Sequence, residues 1–229
     1  MIYLLVILTS LVSLRLEAQQ VDKISLVELY SSEGCSSCPP AEESLYNLKS
    51  HKNLWKTFVP INFHVDYWNR LGWVDVFSNK KFTDRQHTYA SVWRTTRVYT
   101  PAFVLDGLEK GSRLPAFKES RVKSDQRINV EKTSENTLRV RLSSKNSQQF
   151  KLNFALLANG IESVVKSGEN AGRTLKHNFV VMELREEPMN EVHEFKIIKP
   201  NASYKSLSYA VWISDKATSV VVQAAGGDL

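Results

Sequence analysis

The two cysteines of the chain form one motif, Cys35-Ser-Ser-Cys38. The motif follows a strand-like run at residues 23–30 and precedes a helix-like run at residues 41–48. Thiols at the amino end of a helix are favoured as thiolates by the helix dipole and its unpaired amides. A second thiol one turn later can resolve a mixed disulfide formed at the first. The pattern predicts a redox pair in which Cys35 is the nucleophile and the more exposed thiol, and Cys38 resolves.

Two other interpretations of the pair stay open, a static disulfide and a metal site. A bridge across two intervening residues closes a small loop and gains little unfolded-state entropy, which disfavours a static role. A structural zinc site needs further ligands, and the sequence has no second paired Cys or His motif. The following Pro39-Pro40 favours an extended Cys38 and a helix that begins only after Pro40, with less dipole assistance to Cys35.

The first half of the chain alternates strands and helices. Strands are predicted at residues 23–30, 58–66 and 102–106, and helices at residues 41–48 and 79–94. Asp106-Gly107 predicts a hairpin into residues 108–110, and apolar positions predict another helix that ends near Lys123. This order is the one that a thioredoxin-like α/β domain requires.

The second half has short alternating or β-rich segments. Strands are predicted at residues 137–142, 150–157, 178–184, 194–198, 207–213 and 219–223. Short strands separated by polar turns are typical of an antiparallel sandwich. The predicted fold class is therefore α/β plus β, with a thioredoxin-like domain at residues 19–126 and an antiparallel β-sandwich-like domain at residues 127–229.

The amino-terminal segment predicts export. Residues 2–14 are apolar but too short to span a bilayer, and Ala18 offers a cleavage point. We expect a signal peptide at residues 1–18, with a retained N-terminal helix as the alternative. The mature protein would be periplasmic or secreted, where disulfides persist, with no stable membrane insertion after signal removal.

The charge of the chain does not indicate a nucleic-acid partner. The net charge is +6, and the basic residues between Lys110 and Lys151 are scattered through polar sequence without a nucleic-acid-binding motif. A solvated linker and hairpin account for them. No nucleic acid is expected to bind.

Four further residues are candidates for the thiol site. Thr100-Pro101 opens the third strand, where thioredoxin-like domains place a cis proline beside the substrate groove; a trans proline at a strand edge is the alternative. Glu28, in the first strand, could accept a proton from the resolving thiol or could be an ordinary ion-paired glutamate. His64, in the second strand, could act in acid–base chemistry, bind a soft metal with the thiols, or be a hydrogen-bonded core residue.

Several motifs together resemble one family. Cys35-Ser-Ser-Cys-Pro-Pro-Ala41, with the residues before it, is similar to the signature of exported thioredoxin-like proteins catalogued as a domain of unknown function. The similarity continues at residues 63–68, 71–73, 85–86, 99–101 and 168–173 and at His177. The resemblance implies a thioredoxin-like fold and export, and it brings no established reaction. It also implies a glutamine after Pro101, where this chain has Ala102, so substrate specificity is expected to differ if that side chain contacts substrate.

The leading functional hypothesis is an exported thiol–disulfide oxidoreductase that acts on protein or small-molecule thiols and disulfides without a cofactor. A Cu(I)-binding or copper-delivery protein that uses Cys35, Cys38 and His64 is the first alternative. A non-catalytic binding module is the second. Residues 168–172 are either a tight turn between strands or a loop that faces the active site.

Overall fold

The computed structural model describes residues 20–116, 122–144 and 147–229. Within these ranges the chain is mostly β-strand and forms several sheets. The helices are α1 (Pro39–Tyr46) and α2 (Lys80–Val92), with short 3-10 turns at Asn47–Ser50, Asn69–Leu71 and Ser147–Gln149. The strands are β1 (Val21–Asp22), β2 (Ser25–Ser31), β3 (Phe58–His64), β4 (Ala102–Leu105), β5 (Leu108–Gly111), β6 (Lys123–Ser124), β7 (Arg127–Ser134), β8 (Thr137–Ser143), β9 (Phe150–Asn159), β10 (Ile161–Val164), β11 (Thr174–His177), β12 (Val180–Pro188), β13 (Val192–Lys196), β14 (Ser206–Asp215) and β15 (Val221–Asp228).

The main sheet contains strands from both halves of the chain. Among the described residues it has eight strands in the order β15-β14-β9-β12-β3-β2-β4-β5. The two halves meet where β12 pairs in parallel with β3, next to the hydrogen bond from the Asn62 N–H to the Phe179 carbonyl at 2.8 Å. The sheet is therefore continuous across residue 126, and the division into two domains there stays a prediction.

A three-stranded antiparallel sheet, β13-β8-β7, packs on the second-half end of the main sheet. Leu138, Val140 and Leu142 alternate along β8 toward this interface, as expected for a strand with one buried face. The rings of Phe154 and Phe195 stack across it with centroids 4.2 Å apart. The second-half strands thus lie in two packed sheets, but one of these sheets is the far end of the main sheet, because β12 pairs with β3.

The two helices cover opposite faces of β2. The Ser31 hydroxyl donates to the Glu42 carboxylate on α1 at 2.6 Å. Glu28 lies three positions before Ser31, and its carboxylate instead accepts from Tyr89 on α2. Because successive strand side chains point to opposite faces, the side chains of β2 alternate between the face covered by α1 and the face covered by α2.

The first-half hairpin is confirmed. Asp106 and Gly107 both have positive φ, 53° and 87°, as the Asp-Gly turn predicts. A Cβ at Gly107 would lie 2.8 Å from the Ser219 carbonyl oxygen, so this position also needs glycine for space. Of the helix predicted to end near Lys123, residues 117–121 lie outside the described residues, and Lys123 itself belongs to strand β6.

The predicted signal peptide lies outside the described residues. Within the described part of the chain, no helix is both long enough and apolar enough to cross a membrane.

Candidate functional site

Cys35 and Cys38 form a disulfide in the loop between β2 and α1, with their Cα atoms 5.4 Å apart. Successive tight turns shape this loop, since the Cys35 N–H donates to the Ser32 carbonyl and the Cys38 N–H donates to the Cys35 carbonyl, both at 3.1 Å. Cys35 is 0% exposed and Cys38 is 1% exposed, whereas Ser36 and Ser37 are exposed. The prediction that Cys35 is the more exposed thiol is therefore wrong for the disulfide form.

Helix α1 begins at Pro39, directly after the disulfide. Cys38 is its N-cap with α-region dihedrals (φ −76°, ψ −34°), and its carbonyl accepts from the N–H groups of Ala41 and Glu42 at 2.9 and 3.0 Å. The prediction of a helix that starts only after Pro40 is wrong. Proline is tolerated in the first turn because the N–H it lacks has no intrahelical partner there.

A loop from the second half covers the disulfide. Asn170, which is 1% exposed, donates from its amide nitrogen to the carbonyls of Glu33 and Cys35 at 2.8 and 3.0 Å. Next to it, the Glu169 carboxylate accepts from the Ser36 N–H at 3.1 Å. Residues 168–172 therefore face the cysteine pair. We call residues 167–173 the covering loop.

Thr100 and Pro101 are connected to the cysteine loop by Trp68. The Thr100–Pro101 bond is cis, and the Thr100 hydroxyl accepts from the Trp68 indole N–H at 2.8 Å. A Cβ at Gly34 would lie 3.0 Å from the Trp68 Cβ, so this tryptophan lies against the backbone just before Cys35. Trp68 thus joins the start of β4 to the cysteine loop.

Glu28 is placed on the α2 side of the sheet, away from α1 and the cysteines. Its carboxylate accepts from the Arg85 Nε at 2.9 Å, the Tyr30 hydroxyl at 2.9 Å and the Tyr89 hydroxyl at 2.5 Å. Burial, followed by the charge of Glu28, raises the pKa of the Tyr30 hydroxyl well above its ordinary value. This network matches the alternative of an ion-paired glutamate and does not bring Glu28 to Cys38.

His64 belongs to a buried cluster on the α1 side, where carboxyl groups and imidazoles alternate. His64 Nδ1 lies 2.7 Å from Asp75 Oδ2, and His64 Nε2 lies 3.8 Å from Glu42 Oε1. The other oxygen of Glu42 is hydrogen-bonded to His177 Nδ1, and His177 Nε2 lies 3.3 Å from Glu33 Oε1. We call these five residues, all 5% exposed or less, the acid–imidazole chain.

The carboxyl groups of the acid–imidazole chain favour the charged form of both imidazoles. Burial opposes a charged His177, but Glu42 and Glu33 outweigh it and raise its pKa to about 10. Burial likewise opposes a charged His64, and Asp75 with Glu42 outweighs it and raises its pKa. Burial works to raise the pKa of Glu42 and of Asp75, and the facing imidazoles lower both. The cluster thus places paired charges in a water-poor interior.

The acid–imidazole chain is also connected to the cysteine loop by hydrogen bonds. The Glu33 N–H donates to Asp75 Oδ2 at 2.9 Å, and the Glu33 carboxylate accepts from the Trp73 indole at 2.7 Å. Within the described residues, the ligand atoms of Glu42, His64 and His177 all lie within 4.8 Å of one another. The predicted soft-metal set of Cys35, Cys38 and His64 would require the reduced thiols, since the two sulfurs are bonded to each other in this structure.

Four members of the acid–imidazole chain were not predicted as site residues: Glu33, Glu42, Asp75 and His177. Glu42 and His177 are 135 positions apart, and the β3–β12 pairing brings them together. The one sequence signal for His177 was its place among the motifs of the family resemblance.

The fold and the site define a mostly β protein with a buried disulfide beside an acid–imidazole chain. The chain belongs to the family described as "Protein of unknown function (DUF1223)", whose profile matches residues 26–222. No curated protein matches the sequence.

Two solved structures are similar in fold. Protein AGR_C_4864 from Agrobacterium tumefaciens is 19% identical with a TM-score of 0.62, over 91% of this chain and 95% of that chain. HBP35 of Porphyromonas gingivalis is 14% identical with a TM-score of 0.62, over 91% of this chain and 76% of that chain. At these identities the likeness concerns the fold alone.

Proposed function

We propose that this protein is an exported thiol–disulfide oxidoreductase in which Cys35 and Cys38 are the redox pair. The observation that carries the proposal is the disulfide in the loop between strand β2 and the first turn of α1. The dipole of a helix stabilises a thiolate at its N-terminus. Because α1 begins at Pro39, the cysteines keep the assistance of the dipole, whereas Pro39 and Pro40 contribute no N–H.

The arrangement around the pair supports a thioredoxin-like site. Strand β2 leads into the cysteine loop and pairs in parallel with β3 and antiparallel with β4. Ala102, directly after Pro101, pairs with Tyr30 near the end of β2. A substrate strand that docks beside Thr100 and Pro101 would therefore lie close to Cys35, which suits the predicted groove.

The proposed reaction is a two-electron exchange. In the reduced protein, the Cys35 thiolate attacks a substrate disulfide, which forms a mixed disulfide and releases one substrate thiolate. The Cys38 thiolate then attacks the Cys35 sulfur and releases the second substrate thiolate. The substrate disulfide has gained two electrons, the protein disulfide is restored, and the released thiolates take up protons from water. In reverse, a substrate dithiol reduces the protein disulfide.

Access to the disulfide requires the covering loop to move. The Asn170 and Glu169 contacts hold this loop over the buried Cys35, so a substrate thiol has no direct line to the sulfur in the closed form. The loop would then act as a gate that a substrate displaces on docking. Loops of this kind come from the less stable parts of a structure.

Export is the second part of the proposal. It depends on the amino-terminal signal pattern and on the persistence of a disulfide outside the cytosol. Detection of a mature chain that begins near Gln19, in the periplasm or the medium, would support it. Retention of the full amino terminus in the cytosol would contradict it.

Turnover assays test the reaction. The protein is supplied with dithiothreitol, and reduction of a peptide disulfide is followed for wild type, Cys35→Ser and Cys38→Ser. Ser206→Ala, at an exposed position at the start of β14, is the matched control. We expect turnover above the uncatalysed dithiothreitol rate in wild type and Ser206→Ala, and none above that rate in Cys35→Ser. Equal turnover in Cys35→Ser and wild type would exclude the proposed nucleophile, and stoichiometric Cu(I) binding without turnover would favour the copper alternative.

A further inference from the structure

We propose that Glu42, His64 and His177 form a binding site for one zinc ion. This site uses no cysteine, so it is tested separately from the thiol–disulfide reaction. Nothing in the sequence marks it as a motif, since its ligands come from helix α1, the end of β3 and the end of β11.

The three candidate donor atoms lie close to one another. One imidazole nitrogen from each histidine and one carboxylate oxygen of Glu42 lie within 4.8 Å of one another. The Glu42 carboxylate lies between the two rings, with His177 Nδ1 on one oxygen and His64 Nε2 3.8 Å from the other. Small shifts of these three side chains would let all three contact one ion.

The second nitrogen of each ring is held by a carboxyl group. Asp75 binds His64 Nδ1 at 2.7 Å, and Glu33 faces His177 Nε2 at 3.3 Å. Metal-binding histidines characteristically donate their other N–H to a carboxylate, which fixes the ring and makes the ligating nitrogen more basic. Both histidines here have that support on the side away from Glu42, which is the arrangement a bound metal requires.

The supporting carboxyl groups are themselves fixed. Asp75 accepts from the Glu33 N–H at 2.9 Å and the Phe77 N–H at 3.0 Å. Glu33 accepts from the Trp73 indole at 2.7 Å. A metal site depends on such an outer layer to hold its ligands in place.

The donor set fits a borderline ion such as zinc and disfavours the common hard and soft ions. Ca²⁺ and Mg²⁺ take oxygen ligands, and Cu(I) prefers thiolate or thioether sulfur. Two imidazoles and one carboxylate are a recognised zinc set, in which a fourth position is left to water or substrate. Zinc binds neutral imidazoles, so it would displace one proton from each ring, and its two positive charges would take the place of the two imidazolium charges beside Glu42.

His64 Nε2 has one competing partner. The Asn62 amide nitrogen lies 3.1 Å from it, and the Asn62 amide oxygen lies 2.9 Å from the Ser31 hydroxyl oxygen. Zinc would therefore replace one hydrogen bond at His64, while the Ser31 contact can keep Asn62 in place.

Zinc binding to the full mature chain, with the disulfide intact, tests the proposal. The protein is stripped with a chelator, dialysed against zinc chloride and assayed for bound metal and affinity. We expect one zinc per chain in wild type. His177→Gln and Glu42→Gln should lower the affinity at least tenfold, and Asp75→Asn should lower it by about 10- to 100-fold through loss of ring support. His87→Gln, an exposed histidine on α2, is the matched control and should bind as wild type does.

Two further measurements keep the outcome clear. Thermal melting without metal checks that each variant is folded. X-ray absorption at the zinc edge of the wild-type protein needs no variant, and it should show nitrogen and oxygen neighbours, including imidazole, without sulfur. Folded wild type that binds no zinc, folded His177→Gln that binds as wild type does, or sulfur in the zinc shell would each overturn the proposal. Binding that is kept in the Cys35→Ser/Cys38→Ser double variant would support it, and its loss there would count against it.

Discussion

Cys38, the N-cap of helix α1, lies one turn before Glu42, and the Glu42 N–H donates to the Cys38 carbonyl at 3.0 Å. Residues four apart on a helix share one face, so Cys38 and the centre of the acid–imidazole chain are on the same side of α1. The Ser31 hydroxyl on β2 also donates to Glu42. The disulfide is thus built onto a helix turn that a buried charged cluster holds against the sheet.

Asn170→Ala should expose the disulfide. The substitution removes the donor to the Glu33 and Cys35 carbonyls. A buried carbonyl left without its partner costs about 1–3 kcal/mol, which corresponds to opening of the covering loop roughly 5- to 150-fold more often. Reduction of the disulfide by dithiothreitol should accelerate within that range.

Asn201→Ala, at an exposed position, is the matched control for this experiment and should leave the rate unchanged. A reduction rate in Asn170→Ala equal to that of wild type would show that the covering loop does not limit access.

Lowering the pH should loosen the covering loop at Glu169. Hydrogen bonds from Ser36 lower the pKa of this carboxyl from its ordinary value of 4.5. A lowered folded-state pKa means that the contact is fully present above the ordinary value and is lost as pH falls through the folded value. Phosphine reduction of the disulfide, corrected for the reagent's own pH dependence, should therefore become a few-fold faster in that acid range.

Glu169→Gln should weaken this pH dependence because its side chain has no carboxylate to lose. A variant that keeps the full acid acceleration would place the responsible group elsewhere.

Glu28→Gln should destabilise the fold without altering the thiol chemistry. Glu28 is fully buried with Arg85, whose side chain is 8% exposed, and breaking such a pair leaves an uncompensated charge. The free energy of unfolding should fall by about 3–5 kcal/mol. Chemical denaturation measures the loss, with Glu43→Gln at an exposed position of α1 as control.

The reduction potential of the Cys35/Cys38 pair should be unchanged in folded Glu28→Gln. If the potential or the exchange rate changes while stability does not, Glu28 has the acid–base role and the structural account of it is wrong.

Thr100→Val should affect a peptide substrate more than a small reductant. The substitution removes the acceptor of the Trp68 indole and loosens the start of β4 beside the predicted groove. Exchange with a peptide disulfide needs this groove, whereas attack by dithiothreitol does not. We expect kcat/KM for the peptide to fall several-fold while the dithiothreitol rate stays the same. Equal effects on both rates would show that Thr100 does not contribute to the groove.

Local patterns predicted most elements of the fold. Apolar runs placed β2, β3 and β4, and Asp106-Gly107 placed the turn before β5, because strand and turn signals lie within a few residues. The rule against α-region residues before proline failed at Cys38, where two N–H donors from the next turn hold its carbonyl. A local preference is weak when the helix itself satisfies the backbone.

Only part of the candidate site could be predicted from the sequence. The cysteine pair and His64 stand out by residue type, but the partners of His64 are ordinary acids whose role depends on contacts. Pairing of β3 with β12 is set by which strand edges meet across more than a hundred residues, and no periodicity encodes that choice. That pairing places the start of β12 beside β3, and His177, three residues earlier, contacts Glu42.

The central claim is that Cys35 exchanges disulfides and Cys38 resolves them, and mixed-disulfide trapping tests it most directly. Each single-cysteine variant is incubated with a peptide disulfide, and the covalent adduct is measured by mass spectrometry. We predict that Cys38→Ser accumulates a stable adduct at Cys35, while Cys35→Ser forms little or none. No adduct in folded Cys38→Ser, or equal amounts in the two variants, would contradict the account.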